Sequence, residues 1–358
     1  MRIAVVGAIE PVAAAWNRLA ERTAAPPFMR AGWTAVFCSA FGVAPSVVCA
    51  WRGGRLAGVL PLCLRGGSVR SLTNAQTPGF GMLAEDDRVA GALARHLFAA
   101  RPRHVDIAHV DAADPALAAL ERAASSAGYG LLRTTIQRSP FVALDGHGAI
   151  DSGLGAKPAA NLRRRARRLA ATGTVQIEVS DGRHGLDGLL AEGLRLEGSG
   201  WKDTRGTAIA SRADTRRFYG ALARWARDEG LLRLAFLRLD GRGLAFQFGL
   251  QDARAYYFLK GGYDPSESRH APGKLLADAM IARAAECGLE RFEFLGDAEP
   301  WKLEWTRACH ERVRVQAFRP TPLGTVGRLS RAGYLHYARP LAKRAVARRR
   351  GAHPERAR

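Results

Sequence analysis

Residues 256–288 hold the side chains best suited to chemistry, in the run Y-Y-F-L-K-G-G-Y-D-P-S-E-S-R-H-A-P-G-K-L-L-A-D-A-M-I-A-R-A-A-E-C-G. The run predicts a strand, a turn and a helix that begins at Pro272, because proline suits the first helical turn. The first turn would leave these amides free to bind an anion: those of Gly273, Lys274 and Leu275. Arg269 and Lys274 would add positive charge. The pattern indicates a phosphate site. A helix start without a ligand is the alternative, since the segment has neither a Walker nor a Rossmann glycine pattern.

Two polar residues interrupt apolar strands near this segment. Gln247 shares a strand face with Ala245 and Gly249, and small neighbours favour a cleft in which Gln247 contacts substrate. Solvent exposure of that face is the alternative. Lys260 interrupts the next strand and would contact an acceptor or a phosphate, or it is a strand-end charge.

A tryptophan followed by a lysine occurs twice, at Trp201-Lys202 and at Trp301-Lys302. The indole is a flat apolar platform and the lysine a point charge, which suits a sugar or an anionic acceptor. A core tryptophan beside a surface lysine is the alternative.

The histidines form no metal-binding pattern, no serine lies in G-x-S-x-G, and the five cysteines include no C-x-x-C pair. We therefore expect no metal site, no hydrolase triad and no disulfide framework.

The chain is strongly basic, with 54 Lys and Arg against 33 Asp and Glu, a net charge of +21 and a pI near 10.9. Residues 161–169, N-L-R-R-R-A-R-R-L, predict a helix with Leu162, Ala166 and Leu169 on one face. Residues 312–354 contain eleven Lys or Arg and no acid, and the part after 327 predicts a basic amphipathic tail interrupted by Pro340. Such segments bind nucleic acid, phosphorylated ligands or anionic membranes, or are simply solvated.

The remaining elements predict an α/β fold made of two similar parts. Residues 47–51 with 56–64, and 232–239 with 244–250, predict hairpins, and residues 256–261 a third strand. Pro78-Gly79 would correspond to Pro272-Gly273 in a weak repeat with an offset near 190 residues. A boundary is expected within 145–157. No apolar stretch has the roughly 20 residues that span a bilayer, and the N-terminal apolar run is too short for a signal peptide, so we expect a cytoplasmic protein.

An ordered set of motifs resembles a known family. The motifs are L-E-G-S-G-W-K at 196–202, Y-D-P at 263–265, P-G-K-L-L at 272–276, F-L-G at 294–296 and W-K-L-E-W at 301–305. Their order is similar to the CelD/BcsL-like (cellulose biosynthesis) branch of GNAT acetyltransferases, which is related to the Fem-type aminoacyltransferases. Residues 269–275 lie where GNAT proteins have the loose R/Q-x-x-G-x-G/A loop for coenzyme A, although Pro272 and Lys274 depart from its spacing. P-F-M at 27–29 resembles the family's opening. The resemblance covers about 26–318.

The resemblance implies tandem GNAT-like domains, with mixed central sheets flanked by helices. Residues 1–150 would be a degenerate half, 151–320 a half with the acyl-donor site, and 321–358 a basic tail. The donor would be acetyl-CoA or another acyl-CoA, with no metal. The strand at 256–261 would offer backbone groups to the pantetheine arm.

The resemblance also suggests roles for individual residues. Glu197 would be the general base, or else a helix-end carboxylate paired with a cation. Tyr263 would protonate the leaving thiolate, or else be a turn aromatic. The expected donor-binding residues are Lys260, Arg269, Gly273, Lys274 and Leu275. The expected acceptor-binding residues are Trp201, Lys202, Gln247, Asp264, Trp301 and Lys302. Asp264, before a proline, is also a good turn former.

The predicted function is transfer of an acetyl or other acyl group from acyl-CoA to a hydroxyl or amine of a sugar, polysaccharide or cell-envelope precursor. The protein would act in the cytoplasm or at the inner face of the membrane. One alternative is a Fem-like aminoacyltransferase that uses aminoacyl-tRNA, which accounts better for the charge of +21. Another is a non-catalytic adaptor on a GNAT scaffold, which binds a membrane or nucleic acid through its basic segments.

Overall fold

A computed structural model describes residues 1–144, 154–199 and 209–335. The strands are β1 (Arg2–Val6), β2 (Ser46–Arg52), β3 (Arg55–Arg65), β4 (Ser68–Ser71), β5 (Leu83–Ala84), β6 (His104–Asp111), β7 (Gly130–Ala143), β8 (Val175–Ser180), β9 (Leu232–Leu239), β10 (Arg242–Gln251), β11 (Ala255–Tyr263), β12 (Arg291–Glu293) and β13 (Cys309–Phe318). The α-helices are α1 (Ala13–Arg22), α2 (Ala31–Phe41), α3 (Asp87–Ala99), α4 (Pro115–Ser126), α5 (Ala156–Ala170), α6 (Leu186–Gly198), α7 (Ala213–Asp228), α8 (Pro272–Glu286) and α9 (Pro322–Gly333). Short 3₁₀ turns lie at Glu10–Val12, Pro27–Met29, Ile209–Ser211, Pro265–His270 and Lys302–Glu304.

The strands join into one mixed sheet in the order β1-β2-β3-β4-β6-β13-β7-β12-β11-β10-β9-β8, with β5 beside β3. The pairs β4/β6 and β11/β12 are parallel, and the other pairs on this path are antiparallel. Strand β13, late in the chain, lies between β6 and β7. Strand β7 pairs with β13 and then, at its far end, with β12. Because β7 and β13 each cross between the two parts, the parts share one continuous sheet.

Each part repeats one arrangement. Three antiparallel strands (β2-β3-β4, then β9-β10-β11) are followed by a helix and by a strand parallel to the third. Both predicted hairpins and the predicted third strand are confirmed. The predicted equivalence of Pro78-Gly79 with Pro272-Gly273 is wrong, because Pro78 lies in a loop and α3 begins at Asp87. The predicted boundary lies largely outside the described residues, and the division into domains stays a prediction.

Helices cover both faces of the sheet, as expected for an α/β protein. On one face, α3 and α4 bury Val89, Leu93 and Leu120 against the first part of the sheet. Across the opposite face, α2 and α7 meet at an aromatic contact in which the Trp33 and Phe218 ring centroids are 5.4 Å apart. Helix α8 buries Met280 against the second part of the sheet. The predicted α/β class with mixed sheets flanked by helices is confirmed.

His310 connects the two parts at the middle of the sheet. Its ring lies between the carboxylates of Asp111 on β6 (Nδ1–Oδ2, 3.4 Å) and Glu293 on β12 (Nε2–Oε1, 3.1 Å). Hydrogen bonds to Asp111 and then Glu293 raise the pKa of His310 from 6.5 to about 9. The imidazolium form therefore ties one part of the sheet to the other near neutral pH.

The two basic segments form helices with different surroundings. The helix predicted at 161–169 is confirmed within α5: Leu162 and Leu169 are buried, and its arginines face outward. Ala166, expected on the apolar face, is exposed because α5 contacts the protein along a narrow line. Helix α9 buries no residue. Within the described ranges, no helix is both long and apolar enough to cross a bilayer.

Candidate functional site

A cleft opens where β11 and β12 separate. The strands pair over Ala255–Tyr257 and Arg291–Glu293 only, and β11 then continues to Tyr263. The chain after β12 turns away at Leu295 (φ 54°) and Gly296 (φ 62°). The cleft between them has a volume of about 570 Å³. Consecutive residues of β11, from Phe258 to Tyr263, line it, so the edge of the strand forms one wall.

The opposite wall is aromatic and is supported by a buried lysine. The Trp301 ring centroid lies 5.5 Å from that of Phe294 and 6.3 Å from that of Phe258 across the cleft. Lys302 is only 6% exposed, and its Nζ donates to the carbonyls of Leu295 at 2.8 Å and Asp297 at 3.1 Å. Lys302 therefore fixes the loop that forms this wall.

Gln247 supplies a buried polar group to the cleft. Its side chain is 1% exposed and lines the cavity, and its Oε1 accepts a hydrogen bond from the Tyr256 hydroxyl at 3.3 Å. Its Nε2 has no hydrogen-bond partner within the described residues. Because leaving a buried donor unpaired costs free energy, this amide favours a ligand or an ordered water at the cleft.

The cleft ends at the N-terminus of α8, which begins without a side-chain cap. The amides of Lys274 and Leu275 both donate to the Ala271 carbonyl, at 2.9 and 3.1 Å, so the expectation that they are free is wrong. Ala271 is the N-cap residue and has a left-handed backbone (φ 52°), and the carbonyl of an N-cap residue accepts the first intrahelical hydrogen bonds. In the described part of the chain, the Gly273 amide has no such partner. A Cβ atom on Gly273 would lie 3.3 Å from Cδ1 of Tyr263, so a side chain there would crowd the cleft.

The positive charges at this end are partly neutralised. Lys274 Nζ lies 2.6 Å from Glu304, and both side chains are about one-third exposed. Arg269 is mostly exposed and lies 4.0 Å from Glu267. Arg165 of α5 donates to the Arg269 carbonyl at 3.1 Å, which places the arginine-rich helix beside the turn that precedes α8.

Glu197 lies behind β11 rather than among the residues that line the cleft. It is 1% exposed, and its Oε2 accepts a hydrogen bond from the Ile209 amide at 2.8 Å. A Cβ on Gly262 would be 2.4 Å from Cα of Glu197, so α6 and β11 touch backbone to backbone here. Burial, with a smaller contribution from the charge of Glu197, raises the pKa of Tyr219 well above its ordinary value.

Asp264 also lies outside the lining of the cleft. Its carboxylate accepts a hydrogen bond from the Ser266 amide at 3.0 Å and pairs with Arg242 at 2.7 Å. The hydrogen bond from the Ser266 hydroxyl, followed by the other contacts, lowers the pKa of Asp264. These contacts fit the turn-forming alternative for this residue.

The cleft brings together many of the predicted residues, namely Gln247, Lys260, Tyr263, Gly273, Lys274, Trp301 and Lys302. Those outside its lining are Glu197, Asp264, Arg269 and Leu275. The side chain of Leu275 belongs to the core. Trp201 and Lys202 lie outside the described residues.

Sequence reasoning missed part of the cleft. The missed residues include Phe258, Ser268, Phe294, Asp297 and Glu299. The F-L-G motif at 294–296 stops one residue before Asp297, so extending it by one position would have identified that carboxylate. The aromatic residues gave no comparable signal, because apolar wall and apolar core look alike in a sequence. Among the described residues, no group of three His, Cys, Asp or Glu is placed to hold a metal ion.

Comparison with known proteins agrees with this geometry. Residues 156–303, which include α5 to α8 and the cleft walls, match the acetyltransferase (GNAT) domain family. No curated protein matches the chain.

Several solved structures share the fold over nearly the whole chain. The C-terminal domain (DUF2156) of a putative lysylphosphatidylglycerol synthetase from Agrobacterium fabrum is 14% identical, with a TM-score of 0.57 over 92% of this chain and 97% of that one. FemX is 13% identical, with a TM-score of 0.58 over 91% and 99%. L-PGS from Bacillus licheniformis is 11% identical, with a TM-score of 0.54 over 87% and 93%.

At such low identity these likenesses establish the fold and nothing finer. They extend the likeness beyond residues 156–303 to both parts of the sheet, since they cover 87–92% of this chain. Residues 156–303 therefore match the acetyltransferase (GNAT) domain family, and they lie in a mixed sheet that continues across both parts of the described structure.

Proposed function

We propose that this protein transfers an acyl group, acetyl in the first instance, from coenzyme A to a hydroxyl or amine of a sugar, polysaccharide or cell-envelope precursor. The observation that carries the proposal is the course of the cleft along the edge of β11 to the uncapped start of α8. An extended pantetheine arm can pair with the backbone at a strand edge, as peptides do. The pyrophosphate then meets the Gly273 amide at a helix N-terminus, where negative charge is favoured.

The positive surface beside the cleft supports a phosphorylated donor. Arg165 fixes α5 against the turn at Pro265–His270, and the neighbouring arginines of α5 are exposed. Lys274 can exchange its partner Glu304 for a phosphate, because the ion pair is only partly buried and such pairs contribute little stability. Arg269, exposed near the same turn, can reorient toward a phosphate in the same way.

The reaction is a direct attack on the thioester. The acceptor loses its proton to a carboxylate, its lone pair forms the new bond to the carbonyl carbon, and the carbon–sulfur bond breaks. Tyr263, on the cleft wall, donates a proton to the departing thiolate. Gln247 Nε2 is the buried donor available to the acyl or acceptor oxygen.

Two carboxylates compete for the role of general base. Glu197 is the residue that the motif predicts, and its main chain adjoins Gly262 of the cleft. Asp297 and Glu299 are the carboxylates in the cleft lining, and Asp297 is the stronger rival because Glu299 is paired with Lys302 at 3.1 Å. We keep Glu197 as the proposed base. Glu197→Gln should lower turnover with donor affinity unchanged. If Asp297→Asn does this instead, the assignment passes to Asp297.

The acceptor is proposed to lie against the aromatic wall. A sugar ring packs well on a tryptophan face, and Trp301 offers one in the cleft. Trp301→Ala should raise the KM for the acceptor and leave the Kd for coenzyme A within about twofold. Equal losses of both affinities would contradict a separate acceptor subsite.

A calorimetric titration with acetyl-CoA tests the donor assignment. The wild type should bind with micromolar affinity at moderate salt. Gly273→Leu should weaken binding on the order of 100-fold, because the new side chain collides with Tyr263 and covers the amide. Gly188→Leu is the matched control, since Gly188 lies in α6 with open space around its Cβ position. Wild-type affinity in Gly273→Leu would overturn the proposed donor site.

One observation favours a second candidate, a Fem-like transferase that uses aminoacyl-tRNA. The exposed arginines of α5 lie beside the end of the cleft and could hold nucleic-acid phosphates as well as coenzyme A. Binding of tRNA with a steep salt dependence, lost on Arg163→Gln/Arg164→Gln, would favour this donor. Tight coenzyme A binding without transfer to any acceptor would favour the adaptor alternative.

A further inference from the structure

Helix α9 exposes apolar side chains on its outer face. Leu323, Val326 and Leu329 are 86%, 64% and 59% exposed, and Tyr334, which follows the helix, is 49% exposed. The other exposed residues of this helix are Pro322, Thr325 and Ser330. The outer face thus carries a row of large apolar groups without a charged side chain.

The inner face of α9 holds the residues that usually face water. Glycines allow the helix to approach the sheet closely, with Gly327 against the Phe318 ring. Arg328 lies over Gly130 of β7, where a Cβ would come within 2.7 Å of its Cδ. Arg331 Nε donates to Gln316 Oε1 on β13 at 3.2 Å. An amphipathic helix normally buries its apolar face, so this orientation requires an apolar partner.

A cationic groove lies next to this apolar row. The groove between α9 and the sheet has a volume of about 950 Å³. Its cationic lining residues are Arg70, Arg103, Arg314, Arg319 and Arg331. The acidic residue in the lining is Asp106, whose Oδ1 accepts from Arg314 Nε at 2.6 Å. The groove therefore has a clear surplus of positive charge.

The chain continues from this surface with more positive charge. Residues 336–358 contain eight Lys or Arg and one acid, Glu355. Basic residues that follow an amphipathic helix strengthen its attraction to anionic lipid.

We propose that the outer face of α9 docks on an anionic lipid bilayer. Leu323, Val326 and Leu329 insert among the acyl chains at the interface, while the groove arginines contact lipid phosphates. A bilayer surface offers this pairing, with negative charge directly above an apolar layer. The helix would lie in the plane of the membrane without crossing it.

Charge argues against a second copy of the chain as the partner. A twofold contact places the same patch against itself, so Arg319 and Arg331 would face their own copies. With a net charge of +21 on each chain, that contact is repulsive. An anionic surface attracts these arginines, whereas a second copy of the chain repels them.

Vesicle co-sedimentation of the full chain tests the proposal. Vesicles of phosphatidylcholine with about one-third phosphatidylglycerol should bind the wild type, and pure phosphatidylcholine vesicles should bind it far less. Leu323→Ser/Val326→Ser/Leu329→Ser should lower the partition coefficient at least about tenfold, since the inserted apolar area is lost. Leu64→Ser is the control for a general loss of apolar surface, because Leu64 is 65% exposed on β3 and is not part of this row.

The outcomes separate the possible partners. Binding of the triple variant at the wild-type level would overturn the proposal and assign lipid binding to the basic continuation alone. Failure of the wild type to bind the charged vesicles would also overturn it. Self-association that is lost in the triple variant would then identify a second copy as the partner. Acetyl-CoA titration of the triple variant should match the wild type, so this test is independent of the proposed acyl transfer.

Discussion

The two parts of the sheet share an arrangement but differ in the space that follows the third strand of each part. Beside β11 and β12 the cleft has a volume of about 570 Å³. In the first part, the pocket lined by Phe28, Leu72 and Phe80 has about 20 Å³. There, Ser71 Oγ accepts from the Ala108 amide at 3.0 Å, and the Phe80 amide donates to the His109 carbonyl at 2.9 Å. Side chains and loop contacts thus fill the space past the end of β4, while the equivalent space beside β11 stays open.

The N-terminus of the helix that follows the three strands also differs between the two parts, since a side chain caps it in the first part only. Helix α3 is capped by Asp86, whose carboxylate accepts from the Val89 amide at 2.9 Å and pairs with Arg52 at 2.9 Å. Helix α8 has no such side-chain cap. A carboxylate at a helix N-terminus already satisfies the amides and the dipole that would attract a phosphate. The comparison supports a donor site in the second part only.

The largest effect is expected from breaking the wall of the open cleft. Lys302→Met removes a buried cation and leaves the carbonyls of Leu295 and Asp297 without their donor. The free energy of unfolding should fall by about 3–5 kcal/mol, because each buried carbonyl left without its donor costs about 1–3 kcal/mol. Lys274→Met is the control, because its ion pair with Glu304 is partly exposed and should contribute less than about 1 kcal/mol. Equal losses in urea denaturation would contradict a structural role for Lys302.

The contribution of His310, which connects the two parts, to the free energy of unfolding should depend on pH. Because folding raises the pKa of His310 from 6.5 to about 9, its contribution is complete below about 6.5 and is lost as pH rises through about 9. The loss is at most about 3.5 kcal/mol, from roughly 1.4 kcal/mol for each pKa unit. Urea denaturation at several pH values should therefore show falling stability over this interval, and His310→Gln should flatten the slope. An unchanged slope in the variant would assign the effect to other groups.

Tyr263 tests the chemistry of the open cleft. Tyr263→Phe should lower kcat by about 10- to 100-fold, because the thiolate leaves without a proton donor, and should leave the Kd for acetyl-CoA unchanged. Tyr334→Phe is the control, since Tyr334 is exposed near α9. An unchanged kcat in Tyr263→Phe would leave this residue with a packing role beside Gly273.

The smallest effect concerns the filled part. Asp86→Ala should destabilise the protein by about 1 kcal/mol through loss of the α3 cap. Asp87→Ala, one residue later, should cost less because Asp87 is not the cap. Neither variant should gain a second acetyl-CoA, since the neighbouring pocket holds only about 20 Å³. If calorimetry shows that Asp86→Ala binds two acetyl-CoA molecules, the Asp86 cap alone prevents donor binding in the first part.

Local patterns predicted the elements of the site better than its contacts. The start of α8 at Pro272 and the hairpin around 241 follow from residues next to one another in the chain. The free amides at Lys274 and Leu275 were predicted wrongly, because the carbonyl of the N-cap residue, Ala271, accepts the first intrahelical hydrogen bonds, and Leu275 is already the fourth helical residue. The equivalence of Pro78-Gly79 with the start of α8 was also predicted wrongly, because a proline-glycine pair occurs in turns as readily as at a helix start.

Tertiary features lay beyond sequence reasoning altogether. The burial of Lys302 depends on a loop that folds back over it, and a lysine after a tryptophan reads equally as surface charge. The cleft itself depends on β12 ending at Glu293 while β11 continues, and neither strand encodes the length of its partner. The crossing of β7 and β13 between the two parts likewise joins residues far apart in the chain.

The most direct test of the account is hydrogen exchange with and without acetyl-CoA, measured by mass spectrometry on peptides from both parts. We expect slower exchange at residues 258–263 and 273–275, and no change at 68–83 and 104–110. Protection of the first part, or of neither part at saturating acetyl-CoA, would contradict the claim that the open cleft holds the acyl donor.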